Sequence, residues 1–352
     1  MVQRRKSRKI KVGKQFIGGN APITIQSMTT TDTTDVDATL KQIHELEDVG
    51  CDIIRVSAPT MEAANALKEI KANISIPLVA DIHFDYKIAL EAAKYADKLR
   101  INPGNIGNEE KIKLVVNAAK DNSIPIRVGV NLGSLEKDLF ERYGYSAEAM
   151  VESALRHVKI LEKLDFYDTI VSLKASDVPR MVQAYRLFAE KTDYPLHLGV
   201  TEAGSKFPGT IKNSIGMGIL LSEGIGDTIR VSLSDDPKEE VKAGQKILRA
   251  LGLRKDSIEI TSCPTCARSQ IDVIKISEEI ENKTEKIKKP IHIAVMGCAV
   301  NGPGESKKAD IGIVGGPSGT NLLYRDGKIV AKVEKDKIVD TVLREIDALN
   351  KG

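Results

Sequence analysis

Three of the four cysteines sit in two short motifs near the C-terminus. Cys263 and Cys266 form Cys-Pro-Thr-Cys, and Cys298 opens a Cys-Ala-Val-Asn-Gly-Pro-Gly-Glu run that ends at Glu305. Three thiolates invite a metal. A structural zinc wants four ligands, usually as two close pairs, and only one pair is present. A thioredoxin-like disulfide between Cys263 and Cys266 would leave Cys298 idle. A 4Fe-4S cluster on three Cys and one oxygen ligand uses every candidate, although all-Cys ligation is the commoner arrangement. Glu305 is the natural fourth ligand, because the Asn-Gly-Pro-Gly turn can fold its carboxylate back towards Cys298; the alternative is a solvated turn residue. Cys51, at a helix–strand junction, reads as a small buried residue.

A second set of chemical groups lies upstream, on segments that should carry none. Eight extended stretches recur, each followed by a helix-length stretch: 23–27, 52–57, 78–83, 99–102, 126–131, 169–174, 196–201 and 228–233. Strand alternating with helix is the pattern of βαβ units. Parallel strands covered on both faces should be apolar throughout. Instead Leu99 and Ile101 alternate with Arg100 and Asn102, Val128 and Val130 with Arg127 and Asn131, and Ile229 and Val231 with Arg230 and Ser232. Arg55, Asp81, His83 and Lys174 stand at or near the C-terminal ends of their own segments. An unpaired buried charge costs several kcal/mol, so five inward cations make sense where a polyanion neutralises them. A phosphate or diphosphate ligand held by Arg and Lys follows; ion-pair layers inside the barrel are the competing explanation. His83 is either a ligand contact or a core histidine, and His197, deeper in its segment, reads as structural. Glu202, in the turn after the seventh segment, is either a proton donor facing the same mouth or an ion-pair partner for the cations.

Eight strands with covering helices in about 250 residues match a closed (β/α)8 TIM-type barrel, whose ligands sit at the C-terminal ends of the strands. The pattern changes near residue 254, and the rest reads as a small α+β domain: extended pieces at 291–296 and 310–314, a hairpin turning at Asp326-Gly327, and a closing helix with Ile338, Val342, Ile346 and Leu349 on one face. The expected domains are 1–253 and 254–352. The 52 basic and 49 acidic side chains leave a net charge of +3 over 352 residues, which gives no case for nucleic acid as a partner. No run approaches the roughly 18 apolar residues of a membrane span. The basic N-terminal leader is followed by no apolar stretch, so a cytoplasmic protein without membrane attachment is expected.

These motifs, from the Ile-Gln-Ser-Met-Thr segment at Ile25–Thr29 through Glu305, closely resemble the 4-hydroxy-3-methylbut-2-enyl diphosphate synthase family of the non-mevalonate isoprenoid pathway, in its short bacterial form. The resemblance implies an oxidoreductase that opens and dehydrates 2-C-methyl-D-erythritol 2,4-cyclodiphosphate with two electrons delivered through a 4Fe-4S cluster. It implies ligation by Cys263, Cys266, Cys298 and Glu305, and substrate contacts from Arg55, Asp81, His83, Arg100, Arg127, Asn131, Lys174, Thr201, Arg230 and Ser232. Glu202 would be the catalytic acid, and a ferredoxin or flavodoxin the electron donor. The helix after the eighth strand runs back towards the bottom of the barrel, so the second domain begins at the end away from the mouth. The family's homodimer, with each active site shared between subunits, answers that difficulty. Two other classes stay open: a Schiff-base lyase using Lys174, and a metal-binding interaction module on an inactive barrel.

Overall fold

The computed structural model describes residues 3–351. The chain forms two compact units, residues 1–254 and 255–352. Arg254 is tied to the first by an ion pair with Asp52 at 2.9 Å.

The first unit opens with a two-stranded antiparallel hairpin, β1 (Ile10–Val12) and β2 (Gln15–Ile17), where the sequence reading had only a basic leader. Ile10, Val12 and Ile17 pack against Ile53, Val79 and Ile170, which lie at the start of their strands, so the hairpin caps the N-terminal end of the barrel with a small apolar cluster. Eight parallel strands follow: β3 (Thr24–Met28), β4 (Ile53–Ser57), β5 (Leu78–Asp81), β6 (Lys98–Ile101), β7 (Ile126–Asn131), β8 (Thr169–Lys174), β9 (His197–Leu198) and β10 (Thr228–Ile229). They pair in sequence order, β10 pairs with both β9 and β3, and a single bridge between Val171 and Leu196 joins β8 to the start of β9. The expected (β/α)8 barrel is therefore formed. Its last two strands are shorter than the sequence pattern suggests. Arg230 keeps a ladder hydrogen bond to Leu198 O at 2.9 Å but lies past the end of β10.

The alternation along the strands divides the barrel. Ile54, Val56, Leu99, Ile101, Ile126, Val128, Val130, Val171 and Leu173 join the large core between strands and helices, which leaves the intervening residues facing the axis. Most loops after the strands end in a side-chain N-cap. Asp35, Thr60, Asp85, Asn108, Ser146, Asp177 and Asp236 each accept a backbone N–H of the following helix. Such caps fix where each helix begins, and with it the length of loop left at the mouth.

The second unit is a five-stranded sheet. β11 (Ile258–Ser262), β12 (Ile291–Met296) and β13 (Ile311–Val314) are parallel; β14 (Asn321–Arg325) and β15 (Lys328–Val333) complete it antiparallel. Asp326 and Gly327 both take positive φ, 47° and 75°, as a two-residue hairpin turn requires. Helices 273–284 and 338–351 cover one face, burying Ile276, Ile280, Ile338, Val342 and Ile346 on the sheet. The half-exposed edge strand β11 and helix 273–284 are elements that the sequence reading did not resolve.

Candidate active site

At the C-terminal end of the barrel strands the inward residues form one charged cluster. Asp81, at the end of β5, is its hub: Arg100 Nη1 lies 3.1 Å from Oδ1, and Arg55 Nε at 3.7 Å and His83 Nε2 at 3.4 Å approach Oδ2. Arg55 also donates to the Met28 sulfur from Nε at 3.0 Å and Nη2 at 2.8 Å. A second carboxylate, Glu240 on helix 237–250, is paired with Arg230 at 3.3 Å and accepts from Ser27 and from the Leu233 backbone. Arg127 is 2% exposed and donates from Nη1 to Ser172 Oγ at 2.7 Å, while its Nε and Nη2 have no hydrogen-bond partner among the described residues. Lys174 is buried at the end of β8. Two glycines make the space. A Cβ at Gly129 would stand 2.9 Å from Arg100 Nε, and one at Gly199 would stand 2.6 Å from Lys174 Nζ.

Five cations thus face two carboxylates. Burial alone would raise the Asp81 pKa, but Arg55, His83 and Arg100 hold it well below the usual carboxylate range. Burial, reinforced by Arg230 and Arg100 against the pull of Asp81, pushes Arg55 down to about 10. Burial and the charges of Arg230, Arg127 and Arg55 push Lys174 well below an ordinary lysine. Arg127 is stressed in the same way by burial and by Arg55 and Arg100. A guanidinium does not release its proton, so the repulsion persists until an anion relieves it.

Arg55, Asp81, Arg100, Arg127, Lys174 and Arg230 are brought together here. His83 lies beyond the strand with its side chain 47% exposed, at the rim, touching Asp81 and Arg100. Asn131 ends β7, and Thr201 and Ser232 are half-buried in the loops after β9 and β10. Glu202, expected to face the mouth, is exposed in the loop after β9 with a positive φ of 47° and stands outside the buried cluster. His197 is fully buried. The sequence reading missed Glu240, Met28 and Lys98. Lys98 extends the Lys-Leu-Arg-Ile alternation by one residue, a readable signal; Glu240 sits on a helix, where strand periodicity says nothing.

In the second unit the cysteines emerge at one end of the sheet. Ser262 and Val295 are in register at the ends of β11 and β12, so Cys263 and Cys298 follow adjacent parallel strands. The Gly297 N–H donates to Cys263 Sγ at 3.1 Å. Cys266 is exposed, and all three thiols are free. Gly302 N–H donates to Cys298 O at 3.2 Å, starting the short helix 302–306 that carries Glu305, whose carboxylate meets Lys308 at 3.1 Å. Among the described residues no three His, Cys, Asp or Glu side chains stand close enough together to hold a metal ion. The donor set suits a soft metal cluster: thiols free of disulfides, with a backbone N–H already on one sulfur.

The description "GcpE TIM-barrel domain" matches residues 7–245, and "GcpE protein C-terminal domain" matches 259–348. The chain is 57% identical to the 4-hydroxy-3-methylbut-2-en-1-yl diphosphate synthase (flavodoxin) of Caldanaerobacter subterraneus subsp. tengcongensis, over 100% of this chain and 99% of the relative. It is 56% identical to the enzyme of the same name from Bacillus subtilis, over 99% and 93%. Among solved structures, N-acetylneuraminic acid synthetase from Leptospira borgpetersenii serovar Hardjo-bovis superposes with a TM-score of 0.52 at 15% identity, covering 80% of this chain and 98% of that one. That likeness speaks to the fold alone. With both units matched and more than half of all positions identical along the whole chain, this protein belongs to the 4-hydroxy-3-methylbut-2-en-1-yl diphosphate synthase family.

Proposed function

We propose that this chain makes 4-hydroxy-3-methylbut-2-en-1-yl diphosphate by reductive ring opening and dehydration of 2-C-methyl-D-erythritol 2,4-cyclodiphosphate, with flavodoxin as the electron donor that its relatives' names specify. The observation that carries this reading is the excess of buried cations over carboxylates at the barrel mouth. Arg55, Arg100, Arg127, Lys174 and Arg230 take the phosphates, and the free Nε and Nη2 of Arg127 are donors awaiting an acceptor. His83, Asn131, Thr201 and Ser232 orient the ligand from the rim. Glu202 gives a proton to the departing hydroxyl, which leaves as water. Cys263, Cys266, Cys298 and Glu305 would hold a 4Fe-4S cluster. Bound there, such a cluster would supply electrons one at a time, with Glu305 as its one oxygen ligand beside three thiolates. Anaerobic turnover of the cyclic diphosphate with a chemical reductant tests the whole; folded, iron-loaded protein that binds the diphosphate without turning it over would overturn it.

The reading includes a two-fold homodimer in which each site is shared between subunits. Helix 206–222 supports a subunit contact. Phe207, Ile211, Ile215 and Ile219 are exposed at four-residue spacing, Phe207 at 77%. In an antiparallel self-pairing centred near Asn213, Phe207 meets Ile219 beside the open space at Gly218, and Ile211 meets Ile215. Mixing inactive Glu202→Ala and Cys298→Ser subunits tests the sharing. After exchange roughly a quarter of wild-type activity should return, since about half the dimers are hybrids with one intact site. Exchange without recovery would place each site within one chain. No helix among the described residues is long and apolar enough to cross a membrane, and the proposed location is the cytoplasm.

A further inference from the structure

Beneath the arginines the barrel interior is polar and under-paired. Lys98, the first residue of β6, is fully buried, and the one hydrogen bond its ammonium makes among the described residues runs across the barrel to Gln26 Oε1 at 3.4 Å. The charged or titratable groups facing it are Arg55 from β4, Arg127 from β7 and His197 from β9; none is a carboxylate. Gln26 Nε2, both ring nitrogens of His197 and two nitrogens of Arg127 are buried without hydrogen-bond partners among the described residues. The apolar cap formed by the β1–β2 hairpin covers the other end of the barrel. An ammonium placed here has no anion and no bulk water to stabilise it.

We propose that Lys98 is an uncharged amine in the ligand-free barrel and takes up a proton when a dianion settles on the arginines above it, so that substrate binding is coupled to protonation of a layer that does not touch the substrate. The proposal rests on the reading of the mouth as a diphosphate site. Burial and the charges of Arg127 and Arg55 already hold the Lys98 pKa well below that of a free lysine. Negative charge on the ligand cancels the second of these causes, and the pKa rises. A cyclic diphosphate carries one strongly acidic hydroxyl on each phosphorus, so near neutral pH it is a dianion with no proton to exchange, and any uptake belongs to the protein. Lys174, buried among the same arginines, would take up a proton as well. The Lys98 contribution is the part that disappears when this side chain alone is made neutral.

The test is anaerobic calorimetry of the cluster-loaded enzyme with the cyclic diphosphate near pH 8, in two buffers of different ionisation enthalpy. The wild type should take up one to two protons per site, and Lys98→Met about one fewer. Because binding takes up protons, the wild-type Kd should rise with pH, by up to about tenfold per pH unit for each proton. Wild-type binding with no uptake and a pH-independent Kd between about pH 7 and 9 overturns the inference, as does an undiminished count in Lys98→Met. The wild-type measurements decide the first point even if the variant does not fold. A complete absence of binding overturns the diphosphate reading of the mouth itself, whereas binding without uptake overturns only the role of Lys98.

Discussion

At the barrel mouth the charged groups are already in place: Arg100 and Arg55 are anchored on Asp81, Arg230 on Glu240 and Arg127 on Ser172, with glycines at 129 and 199 leaving room for the long side chains. At the cysteine turns, by contrast, Cys266 is exposed, Cys263 holds one N–H donor, and Glu305 is paired with a surface lysine. The barrel strands fix their residues by hydrogen bonding on both sides, so repulsion among cations is carried by the fold. The cysteines and Glu305 lie in turns and a short helix outside the strands, without that frame. On the proposed function, the charged groups of the barrel are set by folding, whereas the cysteine turns would be completed by a bound cluster.

The largest effect should separate the halves completely. Cys298→Ser is expected to lose most iron and sulfide and all turnover, while calorimetry still shows the barrel binding the cyclic diphosphate with near wild-type Kd. Loss of both properties together would make the halves one cooperative unit. Glu305→Ala should be milder in content and equally severe in rate, with three thiolates retaining much of the cluster while turnover stops. Full activity in that variant would reduce Glu305 to a turn residue.

Next in size is Arg127→Met. Losing charge-assisted bonds to a buried phosphate should weaken binding on the order of 10²–10³-fold. The same substitution removes a buried cation with no ion-pair partner among the described residues, so the ligand-free protein should be more stable, by about 1 kcal/mol in urea unfolding of the barrel. A variant that binds weakly and is also less stable would show Arg127 to be structural.

The two halves also differed in how far they could be read from sequence. The inward charges were legible because a strand has period two: Arg100, Arg127 and Arg230 interrupt runs that burial should make apolar. Where the relevant residue left the strand, legibility failed. Glu240 comes from a helix, and the β1–β2 cap was hidden because Lys9, Lys11 and Lys14 mask the inward Ile10, Val12 and Ile17. The cysteines stand out in the sequence by type and spacing alone, which marks them as candidate metal ligands and leaves their arrangement in space unstated.

Glu202 lies outside the preformed cluster, which makes it a sharper test of role than of binding. Glu202→Ala should lower kcat on the order of 10²-fold with little change in Kd, as expected of a group that acts on the departing oxygen. A raised Kd with unchanged kcat would reassign it to substrate contact.

The smallest effect concerns how firmly the loops at the mouth are held. Glu136, in the loop after β7, lies 2.9 Å from His157 Nε2 on helix 147–162, and that imidazole also packs where a Cβ at Gly104 would stand, 2.8 Å away, in the loop after β6. One buried histidine therefore joins two loops. Burial opposes ionisation of Glu136, but His157 and nearby backbone and Ser153 donors overcome it and bring its pKa from 4.5 to about 2. A carboxyl whose folded pKa is depressed contributes stability above its unfolded pKa and loses it as pH falls. The contribution should thus be complete above about pH 4.5 and disappear between there and about pH 2. Glu136 is partly exposed, so solvent screening limits the effect of Glu136→Gln to about 1 kcal/mol at pH 7. The measurement is the wild-type-minus-variant difference in urea stability at pH 7 and near pH 3. A difference that shrinks at the lower pH shows the ionised contact fastening the mouth loops, and one that is equal at both pH values shows that packing of His157 against Gly104 does so without it.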